Sequence, residues 1–451
     1  MRRNNTYLLL AMMAVMPILR ARSQGARVPE TWSVEQCIQY AVEHNHDVHL
    51  RQFSLMDSRT EYLRSVGSFL PTVGGVSSVQ YNFGRAIDPE TNTYTNVSTF
   101  YNGYSLTASI PVFDGLQRWN GLQTAKANVL QGRHSVQAQK DEVAQRVLRQ
   151  YTDVLYCRGA LSLACRKREE SLSLLRKARV MAEVGMCSEA DTAQMRANYV
   201  SDDYEVTRQQ NLLATALLSL KQLMNFPVEE SLVTDSVIPA EPLVPTEAVA
   251  DVAAVAMQTN PSVKMAEMAL RSARFDLRSA RGAFFPTVSL GAGVSSTYYR
   301  QVGRGGYEGQ GFRSQLRNNA GEYVFASLSL PIFSCLDRVC NLRRRRNDLV
   351  RAGENLDASR KELHRLVEEA VAEHRACLVE MEKTRCRVEA DSLAARLVIR
   401  RFEEGLASPT DVQTATVTLL RSRAAWLQSR LGYVYVNRMM NYYKGIPLWI
   451  E

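Results

Sequence analysis

The sequence lacks the long apolar runs that a membrane-spanning helix requires. After the N-terminus, no window reaches the roughly 18 apolar residues needed to cross a bilayer as a helix. It also lacks a Gly-rich phosphate-binding loop, a nucleophile-elbow serine and an HExxH zinc motif. The first absence excludes a bundle of membrane helices. The second gives no basis for a cofactor, a metal or an enzymatic reaction.

Cysteines are few and stand alone. None of the eight forms a CxxC pair, and several lie within long helical patterns, unlike the spacing of a zinc site or a disulfide framework. We expect most to be small buried or helix-surface residues, while a Cys335–Cys340 bridge stays open. The formal net charge of +9 is modest for 451 residues, so nucleic acid is not expected as a partner.

The N-terminus has the pattern of a secretory signal. Arg2 and Arg3 precede a short apolar stretch from Tyr7 to Leu19, and Ala21-Arg22-Ser23 offers a cleavage site. We therefore expect residues 1–23 to be removed on export. An uncleaved membrane anchor is the weaker alternative because the apolar run is short.

The rest of the chain contains two copies of one module. Residues 68–73 (SFLPTV) recur at 283–288 (AFFPTV), an offset of 215, and residues 109–113 (SIPVF) recur at 329–333 (SLPIF), an offset of 220. A period this long indicates a duplicated module rather than a solenoid repeat. We expect four parts after the signal: a first copy at 24–226, a proline-marked linker at 227–245, a second copy at 246–445 and a tail at 446–451.

Each copy begins with a helical stretch, at about 34–66 and 246–281, and then alternates with a period of two. The apolar faces contain Val73, Gly75, Ser77, Val79, Tyr81 and Phe83, then Tyr104, Leu106, Ala108 and Ile110, and in the second copy Val288, Leu290, Ala292, Val294, Val324, Ala326, Leu328 and Leu330. Such alternation is typical of strands with one face on lipid and one on a polar interior. We predict β-hairpins at about 72–112 and 287–332, with hairpins of a soluble sheet as the alternative.

After each pair of strands the pattern becomes helical for a long way. The stretches from Pro111 to Gly185 and from Pro331 to Gly405 both span 74 residues and contain no internal proline. Some 70 helical residues would extend about 100 Å, and apolar residues recur every seven positions, which is coiled-coil spacing. Each stretch ends at a glycine followed by a serine and, three places later, an aspartate. This pattern predicts helical hairpins with tips near 185 and 405.

Four strands per chain cannot close a barrel, and open sheet edges are not tolerated in lipid. Two chains would give eight strands, which fill with their own side chains, whereas three chains give twelve and leave a lumen. We therefore expect a hollow trimer in which the helical hairpins continue the tube through the periplasm. The competing interpretation is a soluble exported coiled-coil scaffold.

The repeated segments and the two G-x-x-S-x-x-D tips together resemble the TolC family of outer-membrane efflux channels, from about Trp32 to the C-terminus. The resemblance implies a mixed α/β fold with mostly coiled-coil hairpins and four membrane strands per chain. It implies a homotrimer, with a twelve-stranded barrel in outer-membrane lipid on a twelve-helix periplasmic tunnel. It also implies two partners, a periplasmic adaptor (membrane fusion) protein and an inner-membrane transporter, with the channel as passive exit duct.

The same resemblance suggests site residues at the tips. In the family, aspartates beyond the second tip glycine form rings at the periplasmic entrance; Asp411 matches the first ring position and Thr414 stands at the second. Asp191 matches the first-hairpin position, and Phe402 occupies a site of the closing network. Asp411, Asp191 and Phe402 are thus gate candidates, although both aspartates also fit capping boxes. The expected adaptor contact comprises Gly185, Met186, Ser188, Gly405, Leu406 and Ser408.

Overall fold

The computed structural model describes residues 31–87, 92–96, 98–235, 248–302 and 310–449. The expected signal segment, residues 236–245 of the expected linker and the first two residues of the expected second copy lie outside these ranges. The helices are α1 (Val34–His44), α2 (His46–Gly67), α3 (Gln117–Glu183), α4 (Glu189–Met224), α5 (Val249–Thr259), α6 (Pro261–Gly282), α7 (Phe312–Asn318), α8 (Asp337–Glu403) and α9 (Pro409–Tyr443). The strands are β1 (Thr72–Asn82), β2 (Arg85–Ile87), β3 (Tyr94–Asn96), β4 (Ser98–Phe113), β5 (Thr287–Val302) and β6 (Gly321–Ser329).

No helix in the described ranges combines the length and the apolar content that a membrane span needs.

The helical stretch that opens each copy is divided in two, at a point that the sequence analysis did not mark. Asn45 separates α1 from α2, and Asn260 separates α5 from α6, each with an extended backbone. The Asn45 side chain accepts a hydrogen bond from the backbone N–H of Asp47 at 2.8 Å, and Asn260 accepts one from Ser262 at 2.9 Å. An asparagine that satisfies an otherwise unpaired amide starts a new helix.

The strands form a four-stranded antiparallel sheet in the order β1-β4-β5-β6. Val73 lies opposite Ala108, Ala108 opposite Ala292, and Ala292 opposite Val324, so the predicted apolar positions of all four strands share one face. This register confirms the alternation that the sequence predicts. The edge strands β1 and β6 are exposed along their whole lengths.

A short helix, α7, lies between the two strands of the predicted second hairpin. The pairing of β6 with β5 stops at Ser295, and α7 lies beside the part of β5 that follows. The Gln315 side chain accepts from the backbone N–H of Tyr299 at 2.9 Å and donates to its carbonyl oxygen at 3.0 Å. One buried amide thus replaces the two hydrogen bonds that a neighbouring strand would supply.

The helices continue the sheet in the same order. α2 packs against α3, α3 against α6, and α6 against α8, which makes a second single layer four elements wide. The two helices of 67 residues, α3 and α8, are then accompanied by α4 and α9, which fold back along them. At a rise of 1.5 Å per residue, each long helix extends about 100 Å, as the sequence predicts.

Two hydrophobic cores lie where the short helices pack against the long ones. The first joins Ile38 of α1, Leu148 of α3 and Leu220 of α4, all almost completely buried. The second joins Val252 of α5 and Val367 of α8 to α9. Residues of the predicted seven-residue series contribute to both cores: Val143, Val147, Val154, Leu356, Leu363 and Ala370.

The two copies meet closely where sheet and helices join. Gly115, between β4 and α3, and Gly282, at the end of α6, lie so near that a Cβ on either would be 2.1 or 2.3 Å from the other's carbonyl oxygen. Gly115 also has a φ of +67°. Arg118 braces this junction with an ion pair to Asp114 at 2.9 Å and a hydrogen bond to the Ser68 carbonyl at 3.1 Å.

Candidate functional site

The chain reverses at Gly185 and Gly405, at the end of the molecule opposite the sheet. Gly185 has a φ of +78° and Gly405 a φ of +74°, in the left-handed region that glycine adopts without strain. The Met186 N–H donates to the Met181 carbonyl at 2.8 Å, and the Leu406 N–H donates to the Arg401 carbonyl at 2.7 Å. These are Schellman-type helix ends. Open space surrounds both glycines, so backbone conformation is what requires them.

Asp191 and Asp411 both complete capping boxes. The Asp191 N–H donates to Ser188 Oγ at 3.1 Å, and the Asp411 N–H donates to Ser408 Oγ at 3.2 Å. In return, each carboxylate accepts from the serine backbone N–H, at 3.2 and 3.0 Å respectively. The Ser408 backbone and hydroxyl hydrogen bonds hold the pKa of Asp411 below its ordinary value. Asp411 is exposed, so its carboxylate is charged and open to a partner.

Phe402 lies in a buried contact between the hairpins. Its side chain is 3% exposed and packs in a cluster with Leu174, Leu175, Ala178, Met195 and Val412, which come from α3, α4 and α9. Beside this cluster, Lys177 of α3 forms an ion pair with Glu403 of α8. Phe402 therefore joins the two hairpins within one chain and does not face open space in it.

The cluster was not predicted from the sequence. Its signal is the apolar pair Leu174-Leu175 at the far end of α3, but Phe402 and Val412 lie 220 or more residues away and only the fold brings them together. Apolar side chains nearby stay exposed: Met186 is 60% and Leu406 is 65% accessible. The two tips thus form one end surface that carries exposed apolar side chains and charged helix caps.

The cysteines and histidines contribute no second site. All eight cysteines are free, and Cys335 and Cys340 are both exposed, so the bridge left open by the sequence is not formed. His44 and His49 each lie within hydrogen-bond distance of a backbone carbonyl. Across the part of the chain that the structure describes, no three His, Cys, Asp or Glu side chains are grouped to hold a metal ion.

Solved structures share this architecture. The fold matches that of CusC, in a study of its folding and transmembrane channel formation, with a TM-score of 0.75, 16% identity and 91% of each chain covered. It matches the outer membrane protein VceC of Vibrio cholerae with a TM-score of 0.74, 14% identity, and 89% and 95% coverage of this chain and that one. The fold class is that of the outer-membrane channel proteins.

The family model described as "Outer membrane efflux protein" matches residues 37–225 and 252–434, and the chain belongs to this family. A curated relative, the probable efflux pump outer membrane protein TtgC of Pseudomonas putida, is 22% identical over 424 residues, which cover 92% of this chain and 82% of that protein. The protein is an outer-membrane efflux channel with a periplasmic extension, and the soluble scaffold is not supported.

Proposed function

We propose that the chain is one third of a passive exit duct, a homotrimer whose sheets and helices close into one continuous tube. The observation that carries the proposal is the pair of unsatisfied edges, β1 and β6, in a sheet that is a single layer. Exposed edge strands of this length pair with another chain unless they are covered. Three chains supply twelve strands and twelve helix positions around one axis.

The internal repeat specifies how neighbouring chains would meet. Offsets of 220 and 215 relate Gly115 to Cys335 and Gly282 to Gly67. Cys335 adopts a left-handed φ of +48°, as Gly115 does, and Gly67 has open space around it. If the ring continues with the same geometry, Cys335 of one protomer lies against Gly67 of the next. The Cβ of Cys335 makes this seam slightly wider than the internal junction.

The tips are the proposed contact for partners. Substrate would arrive from an inner-membrane transporter, through a periplasmic adaptor that docks on the surface formed by both hairpin ends. Exposed Met186 and Leu406 offer apolar anchors there, and Ser188 and Ser408 start the returning helices at the same level. No catalytic step is required of this chain, because the transporter supplies the energy.

Asp411 is the proposed gate residue, and bilayer conductance tests it. Three copies of a charged carboxylate around a narrow entrance attract cations. We expect the purified protein to show discrete, cation-preferring conductance, and Asp411→Asn to abolish most of that preference. Because Ser408 lowers the pKa of Asp411, the preference should persist as the pH falls to the ordinary value of 3.8 and disappear below it. The stability that the Asp411 carboxylate gives to this helix cap is present at higher pH. It is lost as the pH falls through the lowered pKa, because the carboxylate is then protonated.

Asp191→Asn is the matched control, since it alters an equivalent cap in the first hairpin. A change confined to Asp411→Asn places that residue alone at the entrance, and a change in both variants places both there. Unaltered selectivity in both variants would reduce the two aspartates to helix caps. A detergent-extracted protein that is monomeric and non-conducting would contradict the duct itself.

A further inference from the structure

The second copy carries a basic face that the first copy lacks. Arg271, Arg274, Arg278 and Arg281 recur at three- and four-residue steps along α6, and all four are exposed. With Asp276, residues 271–281 carry a net charge of +3, whereas the repeat-equivalent residues 56–66 contain two arginines and two acids and are neutral. A charge confined to one copy is not needed by the shared fold.

These arginines lie just below the sheet. α6 ends at Gly282 and β5 begins at Thr287, so at 1.5 Å per residue the four side chains attach within about 20 Å of the helix end. Ion pairs of Arg345 with Asp276 and of Arg360 with Glu267 align α8 antiparallel to α6. Arg343 and Arg346, both exposed, therefore lie level with the upper arginines of α6.

The guanidinium groups lie near one another, and the acidic residue beside them, Glu267, is paired with Arg360. Arg271 and Arg278 lie over the same Phe275 ring, at 6.0 and 5.3 Å from its centroid. Among the described residues, none of the four α6 arginines forms an ion pair. Arg271, Arg274 and Arg278 also line an open groove of about 430 Å³ against α8. Like charges gathered in this way favour an anionic partner.

The arginines lie on the side of α6 opposite its contact with α3 and beside the groove against α8. Ser272 and Asp276 hydrogen-bond to Asn128 and Thr124 of α3, while Leu270 packs towards the core that includes α8. Successive residues of a helix are about 100° apart around its axis. Viewed along α6, the directions of its contacts with α3 and with α8 are therefore about 140° apart on one side of the helix and about 220° apart on the other. The arginines occupy the wider arc, which is the convex, outer side of a closed ring of helices.

Exposed apolar residues mark the level just above. Phe285 is 55%, Phe333 77% and Ile332 91% accessible at the two strand–helix junctions. Aromatic and apolar side chains at a membrane interface, with basic residues directly beyond them, match a leaflet's acyl boundary and its anionic headgroups. We propose that the arginine face of α6, with Arg343 and Arg346, binds the phosphate headgroups of anionic phospholipids in the periplasmic leaflet. This inference rests on the proposed membrane-embedded trimer.

Native mass spectrometry of the full-length trimer, reconstituted in vesicles of equal phosphatidylglycerol and phosphatidylcholine, tests the proposal. We expect phosphatidylglycerol to be enriched on the wild-type protein. The variant Arg274→Gln/Arg278→Gln/Arg281→Gln should lose enrichment by about fivefold per arginine at low salt. The control Arg375→Gln/Arg385→Gln/Arg387→Gln removes the same charge from exposed positions farther along α8 and should retain it.

Five outcomes would overturn the inference. Equal binding of both lipids, or equal loss in the control, would remove the specific site. Competition by millimolar inorganic phosphate would indicate a site for soluble anions instead. A change in ion selectivity with unchanged lipid enrichment would place the arginines in the lumen. A protein that forms no conducting trimer in these vesicles contradicts the proposed function too, and the conductance record separates that failure from a loss of lipid preference alone.

Discussion

Replacing Asp202 by alanine is expected to destabilise the first helical hairpin by about 3–5 kcal/mol, the cost of leaving a buried charge without its partner. Lys167 of α3 and Asp202 of α4 form an ion pair of 2.7 Å, and their side chains are only 9% and 7% exposed. Ser171 also donates to Asp202. Without the carboxylate, the Lys167 ammonium remains buried between two helices and loses the charge that neutralises it.

Amide hydrogen exchange over the lower half of the hairpin is the measurement, since local opening reports local stability. A loss of 3–5 kcal/mol corresponds to a rise in exchange of about 10²- to 10⁴-fold. The adjacent pair Arg168–Asp203 spans the same helices at 3.4 Å but is 36% and 55% exposed. Asp203→Ala should therefore change exchange by fivefold or less.

The double variant Lys167→Met/Asp202→Leu removes both charges together. It should recover most of the lost stability, because two apolar side chains of similar size can replace a buried ion pair. Equal exchange in Asp202→Ala and Asp203→Ala would show that water reaches Lys167, and the assignment of a buried pair would then be wrong.

Gly115→Ala should prevent the sheet and the helices from joining correctly. A Cβ at this position would lie 2.1 Å from the Gly282 carbonyl oxygen, and the backbone φ is +67°. Relieving the overlap costs about 1–3 kcal/mol, and the left-handed conformation adds about 1–2 kcal/mol. We expect a lower melting temperature of the detergent-extracted oligomer and little heat-resistant trimer on gels.

Gly121→Ala is the control for this effect, because Gly121 lies within α3 with no atom near its Cβ position. Alanine is a better helix former than glycine, so this variant should be as stable as the wild type or more so. Wild-type oligomer stability in Gly115→Ala would show that the two copies do not meet as closely as the structure has them.

The elements and their order could be predicted from the sequence, because each rests on a local pattern. The period-two strands, the proline-free helices and the glycine reversals at 185 and 405 carry their own signals in neighbouring residues. The internal repeat also indicated which segments of the two copies correspond, and this needs no knowledge of contacts. For the same reason the apolar sheet face, running from Val73 to Val324, follows from alternation alone once the strands pair.

Features that depend on distant partners could not be predicted. Nothing in the sequence around Phe402 indicates the contact that buries it between the hairpins, because Leu174 and Val412 reach it only in three dimensions. The pairing of Lys167 with Asp202 and the contact of Gly115 with Gly282 have no local signature either. Asn45 and Asn260 did have a local signature, since an asparagine stands at the equivalent position of each copy. A helix cap between two consecutive helices nevertheless resembles an uninterrupted helical pattern.

In the proposed duct, three chains close the tube by continuing the internal repeat from one protomer to the next. Cysteine cross-linking of Gly67→Cys tests it, because the proposed neighbour of that position is the native, exposed Cys335. After mild oxidation, we expect reducible dimers and trimers on denaturing gels, and none in Gly67→Cys/Cys335→Ser. Monomers alone, or cross-links that survive the loss of Cys335, would contradict this closure of the ring.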